Sequence, residues 1–389
     1  MKIFITGDFC PINRGDISQP NSGTLLDGSI RAIIDQADLR ITNLESPLTN
    51  HPTPISKTGP PLKVDPKNIQ LLNNNRFNLV TLANNHIMDY GSKGIHDTID
   101  LLKEHKIAYV GAGLTIEEID VIFTTKDNFT IGIINVCENE WSTDERQGYK
   151  ANGFSEIGMF YSIKKAKQKA DKVIVIHHGG HEMYNLPSPR LKKTLRFFVD
   201  CGADAVVNHH THCIGGHEIY KESPIFYSLG NFVFDNPKQR NSIWNYGMAV
   251  TLECSHSGIS FHKHYFEQFN VELGVKLIDE KDIKYNIKKL NTVISDDDQL
   301  EEKFEEFVQQ KKRMYLSYLE PLRSKYVLAL INRGFIPSLW NKRKRHYLKN
   351  LITCESHREI VNKLLSNETS HSKQPIRISS SLGQVLHEK

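Results

Sequence analysis

No apolar run of signal-peptide length opens this chain, and none anywhere reaches the roughly 18 residues that a membrane-spanning helix needs. The N-terminus, MKIFITGD, reads straight into a strand, so the expected address is the cytoplasm. Cysteine is sparse and scattered: Cys10, Cys137, Cys201, Cys213, Cys254 and Cys354 form no Cys-x-x-Cys pair. That spacing excludes a zinc ribbon and argues against a disulfide framework, which leaves reduced, buried thiols as the expectation. Internal repeats and low-complexity core segments are also missing. What remains is an ordinary globular composition, with 39% apolar and 24% charged residues. At 389 residues the chain exceeds one typical core, so one large α/β domain with an appendage, or two domains, is expected.

Charge is distributed unevenly. Net charge is only +4, yet residues 307–389 carry 16 Lys and Arg against 5 Asp and Glu, which leaves the rest of the chain acidic. Texture divides the chain in a similar place. Up to about residue 283, short β-branched runs alternate with helical periodicity. The strand candidates are 3–6, 39–43, 79–83, 108–110, 131–136, 173–176, 205–207, 225–229, 249–252 and 261–266. Helical spacing covers 25–36, 69–75, 95–105, 163–170 and 191–200. Asp65-Pro66 and Ser188-Pro189 read as an N-cap followed by a first helical position, and Gly202 as a helix stop. This alternation predicts an α/β fold with helices covering a largely buried sheet. Residues 284–367 read as a basic helical segment, and 368–389 as a polar, disordered tail.

The chemistry-bearing residues stand at strand ends. Asp8 follows the first strand, Glu45 the second, and Asn84-Asn85-His86 the third. His177-His178 and Asn208-His209-His210-Thr211-His212 end two later ones. In open α/β sheets, sites form at the carboxyl ends of strands, so these ends can converge on one crevice. A lone carboxylate after a strand is more often a turn or helix cap. Three imidazoles within four positions are harder to dismiss, because charged they repel and neutral they need partners. A bound metal answers both problems, and mixed oxygen and nitrogen donors suit Mn, Zn or Fe.

On the motifs Gly7-Asp8, Thr42-Asn43-Leu44-Glu45, Ala83-Asn84-Asn85-His86 with Asp89-Tyr90-Gly91, His178-Gly179-Gly180-His181-Glu182, His209-His210-Thr211-His212 and Tyr227-Ser228-Leu229-Gly230-Asn231-Phe232, the chain resembles the CapA family of capsule and poly-γ-glutamate biosynthesis. That family is a branch of the calcineurin-like metallophosphoesterases, and the likeness covers residues 1 to about 265. The resemblance implies a four-layer α/β/β/α sandwich with a C-terminal helical extension. It also implies a metal-dependent hydrolase of phosphoester or amide bonds, with two divalent ions activating a water. Asp8 and His212 would hold one metal, Glu45 would bridge, and Asn85, His178 and His210 would hold the second. His86 would protonate a leaving group or stabilise transition-state charge.

Two departures stand out. Cys10 occupies a position where phosphoesterases often carry a histidine ligand, and His209 stands where glycine is usual. Strand alternation allows only one of His209 and His210, and one of His177 and His178, to face the metals, and the motif register favours His178. His181 and Glu182 read as groups that orient imidazoles, as a substrate wall, or as a surface loop. Lys57 and Arg190 could face an anionic polymer or phosphoester substrate, although solvated surface charge is the commoner role. Asn231 joins them as a substrate-binding candidate.

Residues 314–345 interleave aromatic and basic side chains. Such a stretch packs on the catalytic domain or another subunit, or lies on an anionic membrane surface at the inner face. No nucleic-acid-binding module accompanies it, so no nucleic-acid partner is expected. A rival to the enzyme is a non-hydrolytic metal-binding component of a polymer-synthesis complex, in company with other surface-polymer biosynthesis proteins.

Overall fold

The computed structural model describes residues 1–18, 25–143, 148–319, 325–335 and 341–368. Its strands run, in chain order, as β1 (Lys2–Phe9), β2 (Leu39–Leu44), β3 (Leu79–Thr81), β4 (Ala108–Val110), β5 (Ala112–Gly113), β6 (Val121–Lys126), β7 (Phe129–Cys137) and β8 (Lys150–Ala151). They continue as β9 (Lys172–His178), β10 (Ala205–His209), β11 (His217–Tyr220), β12 (Ser223–Phe226), β13 (Asn231–Val233), β14 (Tyr246–Ser255), β15 (Gly258–Gln268) and β16 (Val275–Ile278). The helices are α1 (Gly28–Asp35), α2 (Ile69–Asn74), α3 (Gly91–Glu104), α4 (Ile116–Ile119), α5 (Glu156–Lys167), α6 (Pro189–Cys201), α7 (Ile287–Ser295), α8 (Asp297–Leu319), α9 (Lys325–Asn332), α10 (Lys342–Thr353) and α11 (Glu355–Glu368).

Two sheets form the centre. One has the order β16-β15-β14-β1-β2-β3-β4, with β13 also paired to β1; the other runs β11-β12-β10-β9-β7-β6. Pairing is parallel from β1 through β4 and from β7 through β9 and β10 to β12, so each sheet gathers its strand ends along one edge. The facing sides are apolar: Ile3, Ile5, Ile41 and Leu79 of one sheet pack on Ile133, Ile174, Ile176 and Val207 of the other. The helices α1–α3 cover the outer side of the first sheet, where Ile30, Ile34, Leu72, Ile95 and Ile99 are buried. On the far side, α5, α6 and α7 bury Ile163, Leu195, Phe198 and Ile294 against Val173 and Val206. The four layers are those the resemblance implied.

Local signals account for several boundaries. Asp65 and Ser188 accept from the backbone ahead of Pro66 and Pro189, and Gly202 ends α6 with φ 118°. The run 225–229 does not form one strand. Its chain leaves β12 at Phe226 and re-enters at Asn231 in the other sheet, with Gly230 at φ 68° between them. This crossing stitches the sheets together, since Asp8 N–H donates to Gly230 O at 3.0 Å. A Cβ on Gly7 would lie 1.9 Å from that same oxygen, so only glycine fits there.

The C-terminal helices build a satellite core of Phe304, Phe307, Val308, Tyr315, Leu351, Ile360 and Leu364. No helix among the described residues is long and apolar enough to cross a membrane. Tyr315 is buried and Tyr318 stacks on Tyr347, so part of the stretch 314–345 packs on its own chain. Residues 320–324 and 336–340 of that stretch, and the tail read over 368–389 beyond Glu368, lie outside the described residues. All six cysteines are free and buried.

Candidate metal centre

Alternation in the two strands that face each other decides which side chains enter the crevice. In β9, Ile174, Ile176 and His178 point between the sheets, while Val173, Val175 and His177 point outward. His177 accordingly pairs through Nδ1 with Asn208 Oδ1 at 2.7 Å and packs on Phe154 and Phe198. His178 enters the crevice. In β10 the alternation carries His209 inward, and there the strand ends. His210 adopts φ 87° and His212 φ 56°, both in the left-handed region, and this bend turns both rings back over the strand ends.

Of His209 and His210, only His210 joins a donor group; His209 belongs to neither, and its Nδ1 stands 3.5 Å from Asp8 Oδ1. Strand periodicity stops applying once the chain leaves the sheet.

Two groups of donors result. Glu45, His178 and His210 form one; Asp8, Glu45 and His212 form the other; within each, the ligand atoms lie within 4.8 Å of one another. Glu45 is shared. Asn85 Oδ1 sits 3.0 Å from His178 Nε2, which places its amide oxygen on the first group. His210 Nδ1 is 3.1 Å from the same nitrogen. Asp8 Oδ2 stands 3.3 Å from His212 Nδ1, and Asp8 Oδ1 accepts from Asn43 Nδ2 at 2.7 Å.

These residues fit a cation. Glu45 is fully buried, and among the described residues neither of its carboxylate oxygens has a hydrogen-bond partner. An ionised carboxylate left so would cost several kcal/mol. Burial raises its pKa well above the ordinary value and the Asp8 charge adds to the rise; burial lowers that of His178, and the His210 charge adds to the fall. Asp8 and His212, which face each other, shift the opposite way, Asp8 down and His212 up. It is Glu45, an acid that resists ionising beside an imidazole that resists protonation, that marks a place lacking positive charge, which a divalent ion would supply.

The remaining candidates divide. His86 lies outside both groups on the cavity wall, with Nδ1 2.6 Å from Asp89 Oδ2. Lys57 is not solvated: its side chain is 4% exposed and its ammonium pairs with Asp89. The loop 55–62 folds over Asp89, which also accepts from Leu62 N–H, and this removes Lys57 from bulk water. Arg190 lies outside the cavity lining and bonds to Glu138, Glu359 and Ser356, so its charge is already matched. Asn231 is fully buried and holds His212 of the second donor group, Oδ1 to Nδ1 at 3.0 Å. Cys10 is buried and belongs to neither donor group. His181 stacks on Phe304 and stands 3.6 Å from Glu359, turned toward the C-terminal helices. Glu182 lines the cavity.

Three contributors went unread in the sequence. Asn43 bridges Asp8 and His178, the latter at 3.2 Å, from inside a quoted motif. Asp89 positions His86. Glu138 follows β7, and the strand-end rule applied to residues 131–136 would have flagged it.

The family model for bacterial capsule synthesis protein PGA_cap matches residues 2–236. The chain belongs to this family. Among PGA_cap-like relatives, the capsule biosynthesis protein CapA of Bacillus anthracis is 37% identical over 41% of this chain and 40% of its own. The PGA biosynthesis protein CapA of Bacillus subtilis (strain 168) is 34% identical over 45% of this chain and 47% of its own. A probable polyglutamine synthesis accessory protein of Mycobacterium tuberculosis is 26% identical over 54% and 59%. The matched stretch thus spans less than half the length of the two Bacillus relatives. Among solved structures, a hypothetical protein from Thermus thermophilus aligns over 69% of this chain and 99% of its own, with TM-score 0.43 and 15% identity.

Proposed function

We propose that this chain is a metal-dependent hydrolase of the metallophosphoesterase type, acting on an anionic polymer or phosphoester in capsule or surface-polymer (poly-γ-glutamate-like) biosynthesis. One observation carries the reading: Glu45, fully buried with neither oxygen hydrogen-bonded among the described residues, is common to two donor groups. Asp8, Glu45 and His212 would hold one divalent ion; Glu45, His178, His210 and Asn85 would hold another. Such a pair supplies an activated water and neutralises charge on a phosphoryl or carbonyl oxygen.

The chain's own residues do the rest. Asn43 and Asn231 fix Asp8, His178 and His212 in orientation. His86 is held at Nδ1 by Asp89, which leaves Nε2 as the atom that exchanges a proton with a leaving group. Lys57 pairs with the other oxygen of Asp89, its ammonium 3.4 Å from His86 Nδ1, and so fixes the carboxylate that holds the His86 ring. The cavity, about 710 Å³, is of the size that takes a small-molecule-sized part of a substrate.

Metal analysis of the purified protein, with phosphomonoester and phosphodiester assays on wild type, Asp8→Ala and His86→Ala, tests the reading. The expected result is near two equivalents of transition metal, with turnover lost in both variants and metal content and fold retained in His86→Ala. Absence of metal after reconstitution would sink it. If His86→Ala leaves polymer production intact while ligand changes abolish folding, the chain is instead a non-hydrolytic component of a synthesis complex.

A further inference from the structure

The matched family region ends at residue 236, yet the cavity over the metal ligands is closed by residues far beyond it. Helix α8 contributes Lys311, Tyr315 and Tyr318; α10 contributes Tyr347; α11 contributes His357. This wall is held in place from both sides. Ser356 N–H donates to Glu138 Oε2 at 3.2 Å, and Asn139 N–H to Glu355 Oε2 at 2.8 Å, which ties the start of α11 to the loop after β7. On the other side, His346 of α10 lies 3.5 Å from Ser56 in the loop that carries Lys57, and packs on Trp141.

The wall's chemistry differs from that of the strand-end side. Tyr318 and Tyr347 stack with centroids 4.6 Å apart and planes 14° off parallel, and both are only half-buried. Two lysines line the cavity. Lys57 is matched by Asp89, whereas Lys311 has no carboxylate partner among the described residues and lies over the Phe307 ring at 5.2 Å. An unmatched ammonium and a tyrosine pair lining one cavity, which the donor groups share, suit a planar or ring-bearing group that itself carries a negative charge.

We infer that the C-terminal helices form a leaving-group subsite, in which Tyr318 and Tyr347 pack on a ring and Lys311 pairs with an anionic substituent of it. The inference rests on the hydrolase reading for the substrate's reacting end, and it selects a substrate class: anionic esters whose leaving group carries a charged ring. The subsite lies outside residues 2–236, so relatives matched only there need not share the selectivity.

The test is titration calorimetry on the full-length, metal-loaded chain with methylphosphonate, phenylphosphonate, 4-carboxyphenylphosphonate and benzoate. Methylphosphonate reports on the metal centre alone. Adding the ring should tighten binding about fivefold, and adding the carboxylate about fivefold again. Tyr318→Ala with Tyr347→Ala should erase the first gain. Lys311→Gln should erase the second and Lys311→Arg should keep it. Methylphosphonate affinity should stay unchanged throughout, and it doubles as the control for folding. Loss of methylphosphonate binding with benzoate still bound in a Lys311-dependent way would overturn the hydrolase centre and leave the subsite standing. No gain from ring or carboxylate, or gains that survive the variants, would overturn the subsite whatever the centre does.

Discussion

Glu45 and Glu138 are two carboxylates at strand ends, one in each sheet, with 0% and 4% of their surfaces exposed. Their surroundings are opposite. Both Glu45 oxygens lack a hydrogen-bond partner among the described residues, with His178 and His212 imidazole nitrogens at 3.6 and 3.8 Å from one of them. Burial together with Asp8 pushes the Glu45 pKa up. Burial alone would push Glu138 up as well, but the Arg190 and His177 charges and the Ser356 N–H bring it well below the ordinary carboxylate range. The Glu45 region leaves its carboxylate without a hydrogen-bond partner among the described residues, and the Glu138 region completes the same group internally. Burial therefore does not distinguish the two carboxylates. Partner supply does.

The sharpest way to break this comparison is Glu45→Gln. Turnover should fall more than about 100-fold, since even groups that merely orient ligands cost 10–100-fold, and bound metal should fall below two equivalents. The metal-free variant should be no less stable than metal-free wild type, because a costly buried charge has gone. Equal destabilisation of both forms in thermal melts would show that Glu45 is structural. Glu138→Gln should do the reverse. It removes one of the two carboxylates that pair with Arg190 and loosens α11, at a cost of about 3 kcal/mol whether or not metal is bound, readable in urea titrations. Chelation sharpens the contrast. At free metal near 100 times Kd, removing it should cost about 2.7 kcal/mol in wild type, and much less in Glu45→Gln. Smaller still is Lys363→Met. Its partner Glu301 is half-exposed, so less than about 1 kcal/mol is expected; a larger loss would mean that α8 and α11 depend on surface ion pairs.

The convergence of Asp8, Glu45, His178 and His212 on one crevice was legible in the sequence because strand ends are marked by β-branched runs, and donor types at successive ends carry chemical meaning. The side that His177 faces was legible too, through alternation. What escaped depends on chain direction after a strand stops. That His210 joins a donor group depends on the left-handed turn just after β10, which no periodicity encodes. Lys57 and Arg190 looked like surface charge because their partners, Asp89, Glu138 and Glu359, lie 32, 52 and 169 residues away. The helical texture after residue 284 was plain, but nothing in a single helix's spacing says which cavity its aromatic face will close.

The contact between Gly7 and Gly230 has one last consequence. The chain segment leading into Asp8 and the one leading to Asn231, which holds His212, touch through bare main chain, with no side chain between them. The separation of Asp8 and His212 is thus gauged by van der Waals radii and peptide geometry, quantities that neither rotamer exchange nor substitution of neighbouring side chains can tune. Even a single methyl group at Gly7 would act as a shim, widening the gauge at the one place where the centre has no slack.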